Sequence, residues 1–419
     1  MILIEHFRIS LGIEIQDRRT NVLKYLSFQM THKTISLKRS LLFSNNIKLI
    51  SLFLPTNKTT ILKVVHVIEA LGGGVYTYFR DLSTFFGNDE INKNVETIII
   101  YSGNRKEIDA QKIKSEFSDG VKLIQVNMVR ELSPFQDLKS AYNLARELKK
   151  INPDIIHLHS SKAGVLGRVA YFFLFKKKKL FYTPHGYSFL RTDISNTFRT
   201  FYWTIEKGFQ RFFGGTIVAC GDTEQKIAQK LGPAKLVRNG IDIVSVQEHY
   251  APHQNEKLTI GIMARITAAR NPEMFNQIAL KFPDFNFVWI GDGELKHLIT
   301  APNIRITGWI LDRKTVLKEL NNIDVYMQIS LWEGLPIAVL EAMSLQKPVI
   351  ATNIIGNKDA VLHEKTGFLF SDIAELDSFF EILKDEKTRS KFGENALARC
   401  RELFDKNQNF KQLLKLYQE

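Results

Sequence analysis

The chain has 419 residues, enough for two domains and a remainder, and its 44% hydrophobic and 24% charged residues are ordinary for a globular protein. With only two cysteines, Cys220 and Cys400, no disulfide framework is implied and a reducing cytosol is expected. No apolar run reaches the ~18–20 residues of a membrane-spanning helix. The net charge of +13 is unevenly spread: residues 1–60 hold 9 basic and 3 acidic side chains, residues 61–250 hold 27 and 19, and residues 251–419 hold 21 and 22. The positive excess therefore belongs to the N-terminal half, where nucleic acid, anionic lipid or a phosphorylated acceptor would each be attracted.

Residues 1–60 show no sustained period and few turn signals, and no function is assigned to this extension. Their start, MILIEHFRIS, lacks the basic-then-apolar order of a signal peptide. From Ile61 the pattern becomes α/β. LKVVHVIEALGGG reads as a buried strand ending in Gly72-Gly73-Gly74, then a helix from about Val75. Such a glycine turn lets backbone approach a phosphate, or is a plain strand–helix turn. Strands are predicted at Val95–Tyr101, Val121–Val126, Asp154–His159, Lys179–Thr183 and Thr216–Cys220, with a helix at Asp137–Ile151. A polar segment around Ser245–Lys257 reads as a linker. A second unit follows, with strands at Thr259–Met263, Phe287–Ile290, Ile304–Thr307, Val325–Ile329 and Val349–Thr352. Its helices start near Pro272, Asp312, Pro336 and Ala374, and helices Thr388–Leu403 and Asn407–Tyr417 end the chain. Alternating strands and helices imply parallel sheets covered on both faces.

The stretch LWEGLPIAVLEAMSL, Leu331–Leu345, holds two carboxylates that periodicity cannot place at a surface. Glu333 precedes a helix start at Gly334-Leu335-Pro336, with proline where no N–H donor is needed. Free amides and the helix dipole make that end an anion site. Glu341, one to two turns on, has Ile337, Ala338, Ser344 and Leu345 as face-mates, and a carboxylate among them is costly without hydrogen-bond donors. Hydroxyls of a ligand would supply them.

Glu333-x7-Glu341, followed by Lys347-Pro348-Val349-Ile350-Ala351-Thr352, resembles the signature of family 4 glycosyltransferases of the GT-B fold, and the likeness extends over roughly residues 61–419. The resemblance implies two Rossmann-like, doubly wound α/β domains facing a shared cleft. Residues 61–245 would form the acceptor domain and 246–400 the nucleotide-sugar donor domain, with a helix in 401–419 crossing back to the first. It implies that Glu333 contacts the donor sugar, that Glu341 holds the ribose, and that the loop of Gly73 and Gly74 lies against the ligands.

Other motifs take their places beside it. In GIMARITAARNP, Arg265 and Arg270 flank a strand-to-helix loop and suit a pyrophosphate. The family usually places Lys where this chain has Arg270. Gly291-Asp292-Gly293 resembles the family's turn beneath the nucleotide, or is a structural turn, and Gly308 falls where family members hold the base. His185, in Thr183-Pro184-His185-Gly186, ends a strand at the ligand-binding edge of an α/β sheet and matches a histidine near the transferred sugar. His159 and Lys162 are weaker candidates on the acceptor side, whereas His157 reads as core. No Asp-x-Asp loop, HExxH, CxxC or P-loop occurs, so no metal and no cofactor is expected.

These readings predict a retaining glycosyltransferase, with a nucleotide-diphosphate sugar, most simply a UDP-sugar, as donor. The acceptor is a saccharide or polyprenyl-diphosphate-linked saccharide in bacterial capsule, O-antigen or exopolysaccharide synthesis; nucleic acid is not among the partners. A GT-B-fold UDP-sugar epimerase and a non-catalytic nucleotide- or lipid-binding protein are the alternatives. The run Tyr171–Phe213 is rich in phenylalanine around Lys176–Lys179, which fits either a membrane interface or an aromatic core under a charged face. Within it, the helix Ile194–Phe213 is expected to bury Phe198, Phe201, Ile205, Phe209 and Phe212. Arg199, Trp203, Lys207 and Arg211 would then face acidic lipid. On that basis the enzyme is expected in the cytoplasm, peripheral on the inner face of the cell membrane.

Overall fold

The computed structural model describes residues 61–69, 71–103, 110–129, 133–174 and 178–419. The expectations for residues 1–60 and for Phe175–Lys177 lie outside the described residues.

Seven strands build the first sheet: β1 (Leu62–Ile68), β2 (Val95–Tyr101), β3 (Lys122–Gln125), β4 (Ile155–His159), β5 (Lys179–Thr183), β6 (Thr216–Ala219) and β7 (Ala234–Leu236). All pairs are parallel, in the order β3-β2-β1-β4-β5-β6-β7. Six more build the second: β8 (Thr259–Met263), β9 (Asn286–Ile290), β10 (Ile304–Ile306), β11 (Val325–Gln328), β12 (Val349–Thr352) and β13 (Gly367–Phe370). These too are parallel, in the order β10-β9-β8-β11-β12-β13. The sequence reading lacked β7 and β13, a three-residue and a four-residue strand at the sheet edges. In each sheet the first strand pairs on both sides, so the order reverses beside it, and ligands of α/β sheets bind at the carboxyl ends near such a switch.

Helices bearing on the cleft and its support are α1 (Gly73–Phe86), α2 (Pro134–Ile151), α3 (Ser161–Phe172), α4 (Asn196–Phe213), α5 (Asp222–Leu231), α6 (Arg313–Asn321), α7 (Ile337–Ser344) and α8 (Lys406–Gln418). Successive side chains of β1 serve opposite faces, as a strand requires. Val64 and Ile68 pack with Phe79, Phe86 and Phe181 on one side, and Val65 and Val67 pack with Leu144, Ile156 and Leu158 on the other. Helix α8 belongs to the first of these clusters through Phe410, Leu413, Leu416 and Tyr417. The end of the chain therefore packs on the first sheet.

Helix α4 is turned over relative to the sequence expectation. Glu206 and Gln210 are its buried side chains, Tyr202 and Trp203 pack on the sheet cluster, and Arg199 donates to the carbonyl of Phe189. Three phenyl groups face outward, with Phe198 58% and Phe212 85% exposed and Phe201 also exposed, while Phe209 is half-buried. The reason is a buried polar network. Tyr182 donates to Glu206 at 2.8 Å, Arg168 donates to Gln210 at 2.9 Å, and the Arg168 guanidinium stacks 4.1 Å over the Tyr182 ring. Arg168 is fully buried, and a charge in that position requires polar partners more strongly than the phenyl groups require burial.

Candidate active site

The carboxyl ends of β8 and β11 are neighbours, so the loops that follow them meet. After β8, a short 3-10 turn (Ala268–Arg270) leads to Asn271, whose side chain caps the helix beginning at Pro272. Arg270 thereby reaches the loop after β11. There its Nη1 donates to Ser330 Oγ at 2.9 Å and forms an ion pair with Glu333. Glu333 Oε1 also accepts from Gln328 Nε2 at 2.7 Å, and Gln328 is held in turn by the Tyr326 hydroxyl at 3.1 Å. Glu333 is only 9% exposed, and these donors are what keep an ionised carboxylate tolerable there.

Glu341 is 3% exposed on α7. Contrary to the sequence expectation, its donor is not left to a ligand: Arg313 Nη2, from the start of α6, lies 2.7 Å from Glu341 Oε1. Burial disfavours the Arg313 charge, but the Glu341 carboxylate outweighs it and raises the guanidinium pKa. Arg313 was not singled out from sequence, because its pairing depends on the packing of α6 beside α7. Pro336 is likewise one step earlier than expected. Its ψ of 115° makes it the extended cap residue, and Ile337 is the first helical position.

The first domain closes against this region through backbone. A Cβ built on Gly334 would lie 2.7 Å from the His185 carbonyl carbon and 2.8 Å from the Gly186 nitrogen. A Cβ on Gly74 would sit 3.3 Å from Ile337. His185 has φ of +52°, and the amide of Gly186 donates to Glu224 Oε1 at 2.8 Å. Glu224 also accepts from Cys220 N at 2.8 Å. Burial raises its pKa, and the two amides oppose that rise. Glu224 is thus a fully buried clamp on the histidine loop. Across the cleft, Thr223 donates to Asp359 at 2.7 Å and Asn239 to the Leu335 carbonyl at 3.2 Å.

The structure thus brings together Arg270, Glu333, Gly334, Leu335, Pro336, His185, Gly74 and, on α7, Glu341. Arg265 is half-buried on the same post-β8 loop. Gly73 takes a left-handed φ of +55° as the first residue of α1. Gly291 and Gly293 have a sufficient structural cause, since a Cβ on either would fall 2.2 Å from the carbonyl oxygen of Ala264 or Ile266. Gly308 is open, with φ of +74° and no atom within 4 Å of where a Cβ would sit. Two acceptor-side candidates change: His159 is fully buried and out of reach of an acceptor, and Lys162 is engaged by Asp137 of α2 at 2.7 Å. Among the described residues, His66, His157 and His159 form the one cluster of possible metal ligands.

Residues 72–244 match a family described as Glycosyltransferase Family 4, and residues 262–384 match one described as Glycosyl transferases group 1. Over 289 residues the chain is 32% identical to the Escherichia coli UDP-Gal:alpha-D-GlcNAc-diphosphoundecaprenol alpha-1,3-galactosyltransferase, an alignment covering 61% of this chain and 72% of that protein. The chain belongs to glycosyltransferase family 4. This glycosyltransferase is also 25% identical over 342 residues to the capsular polysaccharide biosynthesis glycosyltransferase CapM of Staphylococcus aureus, covering 72% of this chain and 88% of the relative. Its two parallel-sheet units have the GT-B architecture. They superpose on sucrose-phosphate synthase of Thermosynechococcus elongatus with a TM-score of 0.70 at 15% identity, over 85% of this chain and 98% of that one.

Gly334→Ala tests the close approach in this glycosyltransferase. The added methyl has no room against the His185 and Gly186 backbone, so turnover should fall at least about tenfold and the melting temperature should drop, since overpacking costs roughly 1–3 kcal/mol. A variant with parental turnover and melting temperature would contradict the geometry.

Proposed function

We propose that this enzyme moves a sugar, with retention of anomeric configuration, from a UDP-sugar to a polyprenyl-diphosphate-linked saccharide in bacterial surface-polysaccharide assembly. The observation that carries the reading is the pairing of Glu333 with Arg270 and of Glu341 with Arg313 at one end of the second sheet, facing the His185 loop. Retention follows the family resemblance. The donor base and the lipid-linked acceptor follow the Escherichia coli relative, whose name specifies both. In this reading Arg265, Arg270 and the amides at the start of α7 stabilise the departing diphosphate as its charge develops. Glu333 orients the sugar, Glu341 fixes the ribose and His185 lines the transfer site. Arg270 exchanges part of its contact with Glu333 for the diphosphate, which leaves Glu333 free to accept from sugar hydroxyls.

Glu341→Gln keeps an acceptor for Arg313 but removes the charge offered to ribose hydroxyls. A hydrogen bond to a charged group is worth roughly 1.5–3 kcal/mol, so UDP affinity should weaken about tenfold or more. Glu333→Gln should leave UDP affinity nearly unchanged and lower turnover, because its partner is the reacting sugar. Calorimetry with UDP on both folded variants separates the roles, and parental affinity in the Glu341 variant would remove the ribose assignment.

The turned-over helix α4 also changes how membrane contact works. No helix among the described residues is long and apolar enough to cross a membrane. Phe198, Phe201 and Phe212 are exposed, as are Lys207 and Arg211 further round the same helix, and the Phe172 ring at the end of α3 lies 6.3 Å from that of Phe213. The phenyl stripe itself, rather than Arg199 and Trp203, which turn toward the protein, is the surface that would enter an acidic-lipid interface, with about 1 kcal/mol from each cation near the headgroups. The enzyme should sediment with vesicles containing acidic lipid. Phe198→Ser/Phe201→Ser/Phe212→Ser should release it while hydrolysis of a soluble donor persists. Equal sedimentation of parent and triple variant would end the membrane reading.

A further inference from the structure

The register of the first sheet gathers histidines that lie far apart in sequence. His66 on β1 pairs with His157 on β4, Ile68 with His159, and His159 with Thr183 on β5. Alternation then sends His66, His157 and His159 to one face, where all three are fully buried. His66 Nδ1 lies 3.0 Å from His159 Nε2, and His159 Nδ1 lies 3.0 Å from His185 Nε2. The three rings form a chain from the core to the cleft loop. His157 stands apart from it, with Nδ1 on the Tyr417 hydroxyl of α8 and Nε2 on Thr183 Oγ1. Both of its nitrogens are committed, so the cluster is not a metal site without breaking these bonds.

Burial keeps the chain neutral. It pushes His66 down to about 3 and His185 to about 4, and it holds His159 well below the usual histidine range, with the neighbouring rings adding to the effect. A neutral imidazole carries one N–H, and each of the two N···N contacts needs one donor and one acceptor. Only two arrangements satisfy both contacts. With every proton on Nδ1, His66 donates to His159, His159 donates to His185, and His185 keeps its own proton on Nδ1. With every proton on Nε2, the direction reverses, His185 presents a bare Nδ1, and His66 must bury an Nε2–H.

His66 Nε2 has no hydrogen-bond partner among the described residues. The rings of Phe79, Phe86 and Tyr417 lie 6.0–6.2 Å away. Orphaned buried N–H groups are rare and under-satisfied buried acceptors less so, so the far end of the chain favours the first arrangement. We propose that His159 and His66 are positioning residues that fix His185 as the neutral Nδ1–H tautomer, making it a hydrogen-bond donor toward an oxygen of the bound donor substrate and not a proton acceptor. The chain ends in the core with nowhere to pass a proton, which also denies His185 the exit that a relay would need. The substrate role rests on the glycosyltransferase reading above; the tautomer does not.

The test is ring-nitrogen NMR on full-length enzyme labelled with 15N-histidine, without substrate, with signals assigned by single histidine variants. His66, His159 and His185 should each show a protonated Nδ1 and an unprotonated Nε2. A protonated Nε2 on His185, or an imidazolium, would overturn the proposal. His159→Phe keeps a ring in the core but removes the donor to His185. The His185 signals should then move toward a tautomer mixture, and kcat should fall about tenfold with KM for the donor nearly unchanged. If His185 keeps its tautomer in that variant, the chain does not set it. Loss of nucleotide release from every UDP-sugar in the parent enzyme would instead count against the functional reading and leave the tautomer result standing.

Discussion

Glu333 and Glu341 are both buried, and each is paired with a cation from another part of the second unit. Removing one partner of a buried pair typically costs about 3–5 kcal/mol, because the other charge stays behind. Glu333 draws Arg270 across from the loop after β8, and Glu341 draws Arg313 in from the start of α6. Those two pairings hold the post-β8 turn, the α7 entry and α6 as one unit. In the proposed function, the same two guanidinium groups are the ones a diphosphate and a ribose would compete for. The same contacts that make these carboxylates tolerable are thus the ones a nucleotide would rearrange.

The first domain contributes by close approach more than by charge. The Gly334 Cα meets the His185–Gly186 backbone with no space for a side chain, and Glu224 fixes that loop from below through two amides. His185 is therefore held from three directions: by its own left-handed backbone, by the Glu224 clamp on its neighbour, and by His159 on its ring. Helix α8, at the end of the chain, reaches the same buried face through the Tyr417 hydroxyl on His157. A site shared by two domains is in this way braced by the last helix and by the core of the first sheet.

Much of this was legible in sequence because it is local. Val95–Tyr101, Lys179–Thr183, Thr259–Met263 and Val349–Thr352 are strands with the predicted ends, since buried parallel strands read as apolar runs bounded by turns. That Glu341 has no solvent face was likewise readable from its helix neighbours. What failed was long-range. Arg313 is an ordinary surface-helix arginine until α6 packs beside α7. Glu206 and Gln210 look like the solvent face of α4 until Arg168 and Tyr182 are found beneath them, and then the phenyl stripe has to face out. The histidine chain depends on strand register, which a single sequence does not contain. The short edge strands β7 and β13 carry too few residues for a period.

In the proposed function, this glycosyltransferase activates a UDP-sugar through its own guanidinium groups and helix amides. The direct measurement is UDP release from a panel of UDP-sugars in excess EDTA, comparing the parent with Arg270→Ala and Arg265→Ala. The account predicts release from at least one sugar in the parent, undiminished by the chelator, and a fall of about 100-fold or more in each variant, in the range found when one oxyanion-stabilising donor is removed. Release that vanishes in EDTA and returns with Mg²⁺ or Mn²⁺, or that survives loss of both arginines, would contradict it.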